Sequence, residues 1–79
     1  MPKFYDYVIA QFLGKRTRLG DLAYDLDRDP SFPRDADDKR EIKYYLMLHG
    51  ACDDCLRTFD AAWRSYRNML RRQEQAASR

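Results

Sequence analysis

Glycine is scarce in this chain, at three of 79 residues, and β-branched side chains are few. That shortage speaks against a sheet, while the abundant Ala, Leu, Arg, Glu, Lys and Gln favour helix. No apolar run approaches the roughly eighteen residues that a membrane span requires, so no membrane partner is expected. The opening MPKFYDYVIAQFLGKR lacks a basic region followed by a hydrophobic segment, and no secretory signal is read there. The two cysteines are therefore expected to be reduced, in a cytoplasmic protein. A single histidine leaves no nucleophile–base pair, and G-x-S-x-G, P-loop and G-x-G-x-x-G motifs are all missing. The reading is a non-enzyme with no cofactor.

What the chain does have is an amphipathic stretch, LRTFDAAWRSYRNML, at residues 56–70. Leu56, Phe59, Trp63, Tyr66 and Leu70 recur at alternating steps of three and four, which draws a stripe down one face of an α-helix. The only tryptophan is central, so this helix is expected to form a wall of the core with Trp63 in its middle. A chain this short makes one domain, burying roughly 60–65% of its unfolded surface on folding. That domain is assigned to residues 1–74, with 75–79 as a fraying tail.

Three shorter helices precede it. Helix 1 is predicted over residues 2–13, with Phe4, Tyr5, Val8, Ile9 and Phe12 on one half and Gly14 as its stop. Helix 2 is predicted over residues 18–27, with Thr17 as N-cap and Leu19, Leu22, Ala23 and Leu26 as its buried stripe. Gly20 sits awkwardly inside it. Pro30 and Pro33 then force an extended turn, whose Phe32 is expected to plug the core. Helix 3 is predicted to start near Asp38, at a capping-box spacing to Glu41, and to end at Gly50. Ile42, Tyr45, Leu46 and His49 line one of its faces. Helix 4 is predicted from Cys52 to about Glu74. The fold class is thus all-α, a compact four-helix bundle.

Phe4-Tyr5-xx-Val8, the Asp29-Pro30-Ser31-Phe32-Pro33 turn and Thr58-Phe59-Asp60-xx-Trp63-xx-Tyr66 occur here in one order and spacing. In these the chain resembles the YozE-like family of small bacterial proteins, over residues 3–70. The resemblance implies a helical bundle like that of sterile alpha motif (SAM) domains and a cytoplasmic location. The family brings no established biochemical activity. The wider SAM-like class includes domains that bind proteins, self-associate or bind nucleic acids, an analogy of fold alone. Cys52-Asp53-Asp54-Cys55 and the arginines of helix 4 depart from the family pattern.

His49-xx-Cys52-xx-Cys55 has the look of a zinc site, but structural zinc takes four ligands, and Asp53, Asp54 or a second chain would have to supply the fourth. A redox dithiol is the other chemical reading, without the βαβ unit that accompanies such motifs in thioredoxins. At 100° per residue Cys52 and Cys55 project over Leu56, Phe59, Trp63 and Tyr66. They are therefore read as core side chains, with His49 at a core edge. The acids of residues 21–38 lack the fixed ligand positions, glycine and terminal Glu of an EF-hand and are read as a solvated face and helix starts.

Charge is unevenly placed. Residues 1–18 carry four bases against one acid, residues 19–56 five against ten, and residues 57–79 six against two. The basic candidates are Lys15, Arg16 and Arg18 in a loop, with Arg57, Arg64, Arg67, Arg71 and Arg72 on helix 4. The acidic candidates are Asp21, Asp25 and Asp27. Unlike patches of this kind suit a binding module that meets a protein partner, or its own copies head to tail. The alternative is weak nucleic-acid binding through the basic residues, against which the pI of about 8.6 counts.

Overall fold

A computed structural model describes residues 1–77. Four helices follow one another: α1 (Phe4–Phe12), α2 (Arg18–Asp27), α3 (Lys39–Leu48) and α4 (Asp53–Ala77). Helix α1 is shorter than the apolar pattern suggested, because Lys3 and Leu13 are both extended. Helix α4 continues three residues beyond Glu74, through the good helix formers Gln75, Ala76 and Ala77. The residues assigned to a fraying tail thus include Gln75 to Ala77 of α4; Ser78 and Arg79 lie outside the described residues.

Each junction has a local cause. Gly14 and Gly50 adopt φ of +88° and +81°, the left-handed region in which a Cβ is strained, and so end α1 and α3. The Thr17 hydroxyl accepts a hydrogen bond from Gly20 N–H at 3.0 Å, and the Asp38 carboxylate one from Arg40 N–H at 3.1 Å. These caps satisfy donors that the first helical turn leaves open.

Helices α1, α2 and α4 pack on one another, whereas among the described residues α3 packs on no helix but α4. The largest fully buried side chains are Phe4, Val8, Ile42 and Phe59. Phe4 is the hub of an aromatic cluster. Its ring meets Phe59 edge-on at 5.5 Å, Tyr66 edge-on at 5.7 Å and Trp63 at 5.3 Å, separations at which aromatic pairs attract. Leu22, Leu26, Phe32 and Tyr66 are also buried, as are Tyr5, Tyr7, Ala23 and Ala62. Phe12, Leu46, Trp63 and Leu70 are half-buried against this cluster. Leu56, expected in the core, is half-buried and lies outside this cluster. The centre of the core is therefore Phe4 with Phe59, one turn before the half-buried Trp63.

The proline turn is fastened to α3. Phe32 inserts between Tyr5, at 5.8 Å, and Tyr45, edge-on at 5.5 Å. Beside it the Tyr45 hydroxyl donates to Asp29, which also accepts from Ser31 N–H. The Tyr45 bond, opposed by burial and aided by Ser31, holds the Asp29 carboxyl below its ordinary range. The same bond pushes Tyr45 up to about 12.

A pH dependence follows. A carboxyl depressed in the folded state contributes stability that is complete above its unfolded value and is lost as pH falls through the folded one. A phenol raised in the folded state contributes stability that is complete below its unfolded value and is lost as pH rises through the folded one. The stability gap between wild type and Tyr45→Phe should thus be level from about pH 5 to pH 9 and narrow at both extremes. Urea titrations across pH measure it; a gap that widens toward acid would contradict this coupling.

Candidate interaction surface

Where α2 faces the junction of α3 and α4, the helices diverge and leave an open groove of about 520 Å³. Its apolar floor comes from Leu22 and Leu26 of α2 and Leu46 of α3, placed there by the stripes that bury those helices. The α2 edge carries Arg18, Asp21 and Asp25. The opposite edge is the turn His49-Gly50-Ala51 and the start of α4, with Cys52, Asp54, Cys55 and Thr58. The acidic candidates Asp21 and Asp25 are thus brought together with Asp54. Asp27 is exposed but does not line the groove.

Both cysteines are exposed on this edge, which corrects the expectation that they pack in the core. Cys52 lies just before α4, so helical projection does not apply to it. Cys55 has the right angle about the helix, only 40° from Phe59 by pitch, but it lines the open groove between α2 and α4 and is exposed there. The sulfurs are 3.0 Å apart, and Cys52 Sγ also accepts Cys55 N–H at 3.4 Å. These two bonds hold the Cys52 thiol below its ordinary value, against desolvation and the nearby Asp54 charge; the shared thiol bond raises Cys55. His49 is likewise exposed, corrected from a core edge. It caps α3 and stacks on the Tyr45 ring at 4.0 Å. Among the described residues no three His, Cys, Asp or Glu side chains converge as a metal site would need.

The basic candidates do not form one patch. Arg18 sits in the groove among the carboxylates, apart from Lys15 and Arg16, and Lys15 lies over the Phe12 ring. Arg57 pairs with Asp54 at 3.0 Å, one helical turn away. Arg64, Arg67, Arg71 and Arg72 are exposed along the second half of α4, whose residues 71–77 are exposed throughout. At a rise of 1.5 Å per residue, the seventeen steps from Asp54 to Arg71 put these ends roughly 26 Å apart.

One surface escaped the sequence pattern. Tyr44, Met47 and Leu48 on α3 are 63%, 57% and 66% exposed, and Tyr24 on α2 is 53% exposed. Tyr44, Met47 and Leu48 stand at steps of three and four, a second apolar face beside the buried Ile42. A ten-residue helix that is apolar on two sides, in a domain this small, has only one side it can bury. That was the available signal. Lys39 and Lys43 meanwhile tie α3 to Asp60 of α4 at 3.5 and 3.4 Å, half-exposed pairs that orient more than they stabilise.

Comparison with known proteins matches this architecture to a family. The profile described as YozE SAM-like fold matches residues 3–68. The chain belongs to the YozE-like family. The chain is 33% identical over 67 residues to the UPF0346 protein YozE of Bacillus subtilis strain 168, covering 84% of this chain and 90% of that one. A UPF0346 protein of Bacillus cereus strain B4264 is 36% identical over 64 residues, covering 80% and 89%. One from Streptococcus thermophilus strain LMD-9 is 34% identical over 67 residues, covering 80% and 90%. No solved structure matches the chain. The YozE-like match spans all of the groove but stops before Arg71 and Arg72. Among the described residues no helix is long and apolar enough to cross a membrane. The SAM-like fold of the YozE-like family is compatible with a protein-interaction module.

Proposed function

We propose that this YozE-like chain is a protein-interaction module that assembles with its own copies, the arginine end of α4 in one copy entering the acidic groove of the next. The observation that supports this reading is the placement of unlike charges at opposite ends of one helix. Asp21, Asp25 and Asp54 gather at the start of α4, while Arg71 and Arg72 lie on its exposed final turns. One chain cannot bring its own two ends together, so the attraction is satisfied between copies. Such a contact is heterologous and propagates until a ring closes or the chain ends.

Complementary reversals test it. A double variant Arg71→Glu, Arg72→Glu loses the inserting end, and a double variant Asp21→Lys, Asp25→Lys loses the receiving one. All four side chains are exposed, so both variants should fold. By sedimentation at low salt, wild type is expected to form assemblies and each variant alone to be monomeric. An equimolar mixture should assemble again with the two variants alternating, because the reversed end of the first enters the reversed groove of the second and the arginine end of the second enters the acidic groove of the first. Association should fall as salt screens the contact, over about 10 Å at 0.1 M. Monomeric wild type at low salt would sink the proposal. Binding of duplex DNA, with an affinity losing roughly 0.9 log units per phosphate contact for each log unit of salt, would favour the exposed arginines as a nucleic-acid surface instead.

A further inference from the structure

The same groove carries a chemical feature that self-assembly does not use. We propose that Cys52 and Cys55 form a reversible dithiol–disulfide site that exchanges with small cationic disulfides, Cys52 attacking and Cys55 resolving. Three observations meet here. The two sulfurs are already in hydrogen-bond contact at 3.0 Å, so closing to the ~2.05 Å of a covalent bond needs about 1 Å of approach. Both side chains are exposed, and both line a groove that admits a small molecule. Carboxylates predominate around them, with Asp21 and Asp25 across the groove and Asp53 and Asp54 between the cysteines, against Arg18 and an Arg57 already paired with Asp54.

The order of attack follows from the hydrogen bonds. Cys52 Sγ accepts Cys55 N–H at the start of α4, which favours its thiolate, and once deprotonated it accepts the Cys55 thiol 3.0 Å away as well. The Cys52 thiolate attacks one sulfur of R–S–S–R, breaking that bond; the departing R–S⁻ takes up a proton. Cys52 is then held in a mixed disulfide. Cys55 loses its proton and attacks Cys52 Sγ, releasing the second R–S⁻, which is also protonated. The dithiol is oxidised by two electrons, the external disulfide is reduced to two thiols, and no other reactant is needed. Excess external thiol runs the sequence backwards.

The experiment is a mass-spectrometric time course on reduced, dilute full-length protein without oxygen. The probes are cystamine, a dication, and dithiodipropionate, a dianion of similar size. Wild type with cystamine is expected to end two hydrogen atoms lighter, with no cysteamine attached, and to recover its mass in dithiothreitol. Cys55→Ser should stop one step earlier, carrying one cysteamine. Cystamine should react roughly tenfold or more faster than dithiodipropionate at low salt, the order by which a charged cleft raises encounter rates. Asp21→Asn with Asp25→Asn should narrow that ratio. Persistent cysteamine adducts on wild type would overturn the resolving role of Cys55. Equal rates for the two probes, or a ratio unmoved by the Asn variants, would overturn the charge selectivity of the groove. The assembly variants leave both cysteines in place, so this test and that one fail separately.

Discussion

Phe59→Ala should lower the unfolding free energy by about 3–5 kcal/mol, the range for deleting a large buried aromatic side chain. Phe59 has no exposed surface and meets Phe4 edge-on at 5.5 Å. Alanine there removes the ring's transfer energy and leaves a void between α1 and α4 that the remaining aromatics cannot fill without leaving their own contacts. Small domains retain only about 5–15 kcal/mol in total, so this substitution takes a large share of what holds the chain folded. Trp63→Ala, although it deletes a larger ring, should cost less, because Trp63 is half-buried and already partly in water. Urea unfolding followed by circular dichroism ranks the two, with a lower midpoint at unchanged slope as the sign of lost stability. If Trp63→Ala proved the more damaging, the centre of the core would lie one turn further along α4.

Gly20→Ala should also destabilise, by about 1–3 kcal/mol, despite replacing a poor helix former with the best one. A Cβ at Gly20 would stand 1.9 Å from the Lys15 carbonyl oxygen and 3.2 Å from that of Phe12. Both neighbours are backbone, so relief requires moving the α1–α2 connection, where Lys15 N–H bonds Phe12 O and Gly20 N–H bonds the Thr17 cap. An exposed helical Gly→Ala change would instead gain up to about 1 kcal/mol. The sign of the shift in thermal midpoint therefore decides whether this close approach is present in solution. An increase would mean that the α1–α2 connection sits further from α2 than 1.9 Å implies.

Gly20 also shows how far a linear reading extends. In the sequence it is a weakness in a short helix; in the structure it is what lets the preceding loop lie against that helix. The four helices were legible because three- and four-residue spacing, two left-handed glycines and two prolines are local matters, decided within a turn or so of each residue. The family was legible for the same reason, since its motifs are the buried faces and the Phe32 turn.

The acidic groove was legible only in part. Asp21 and Asp25 stand out in the chain, but their meeting with Asp54, and the placing of Arg18 in a groove that Lys15 and Arg16 do not line, depend on how α2 faces the start of α4. Periodicity assigns a residue its angle about a helix and carries no information on where along the axis the neighbours end. Cys55 has a core angle and stands in the open because it lines the groove between α2 and the start of α4. Tyr44, Met47 and Leu48 are apolar and exposed because α3 has one helical neighbour, α4, and not two. The sequence by itself determined which faces are apolar, where each helix begins and stops to within about three residues, and how charge divides along the chain. Only the tertiary structure decided which of those faces are covered, because burial requires an opposing surface, and opposing surfaces come from residues far away in the chain.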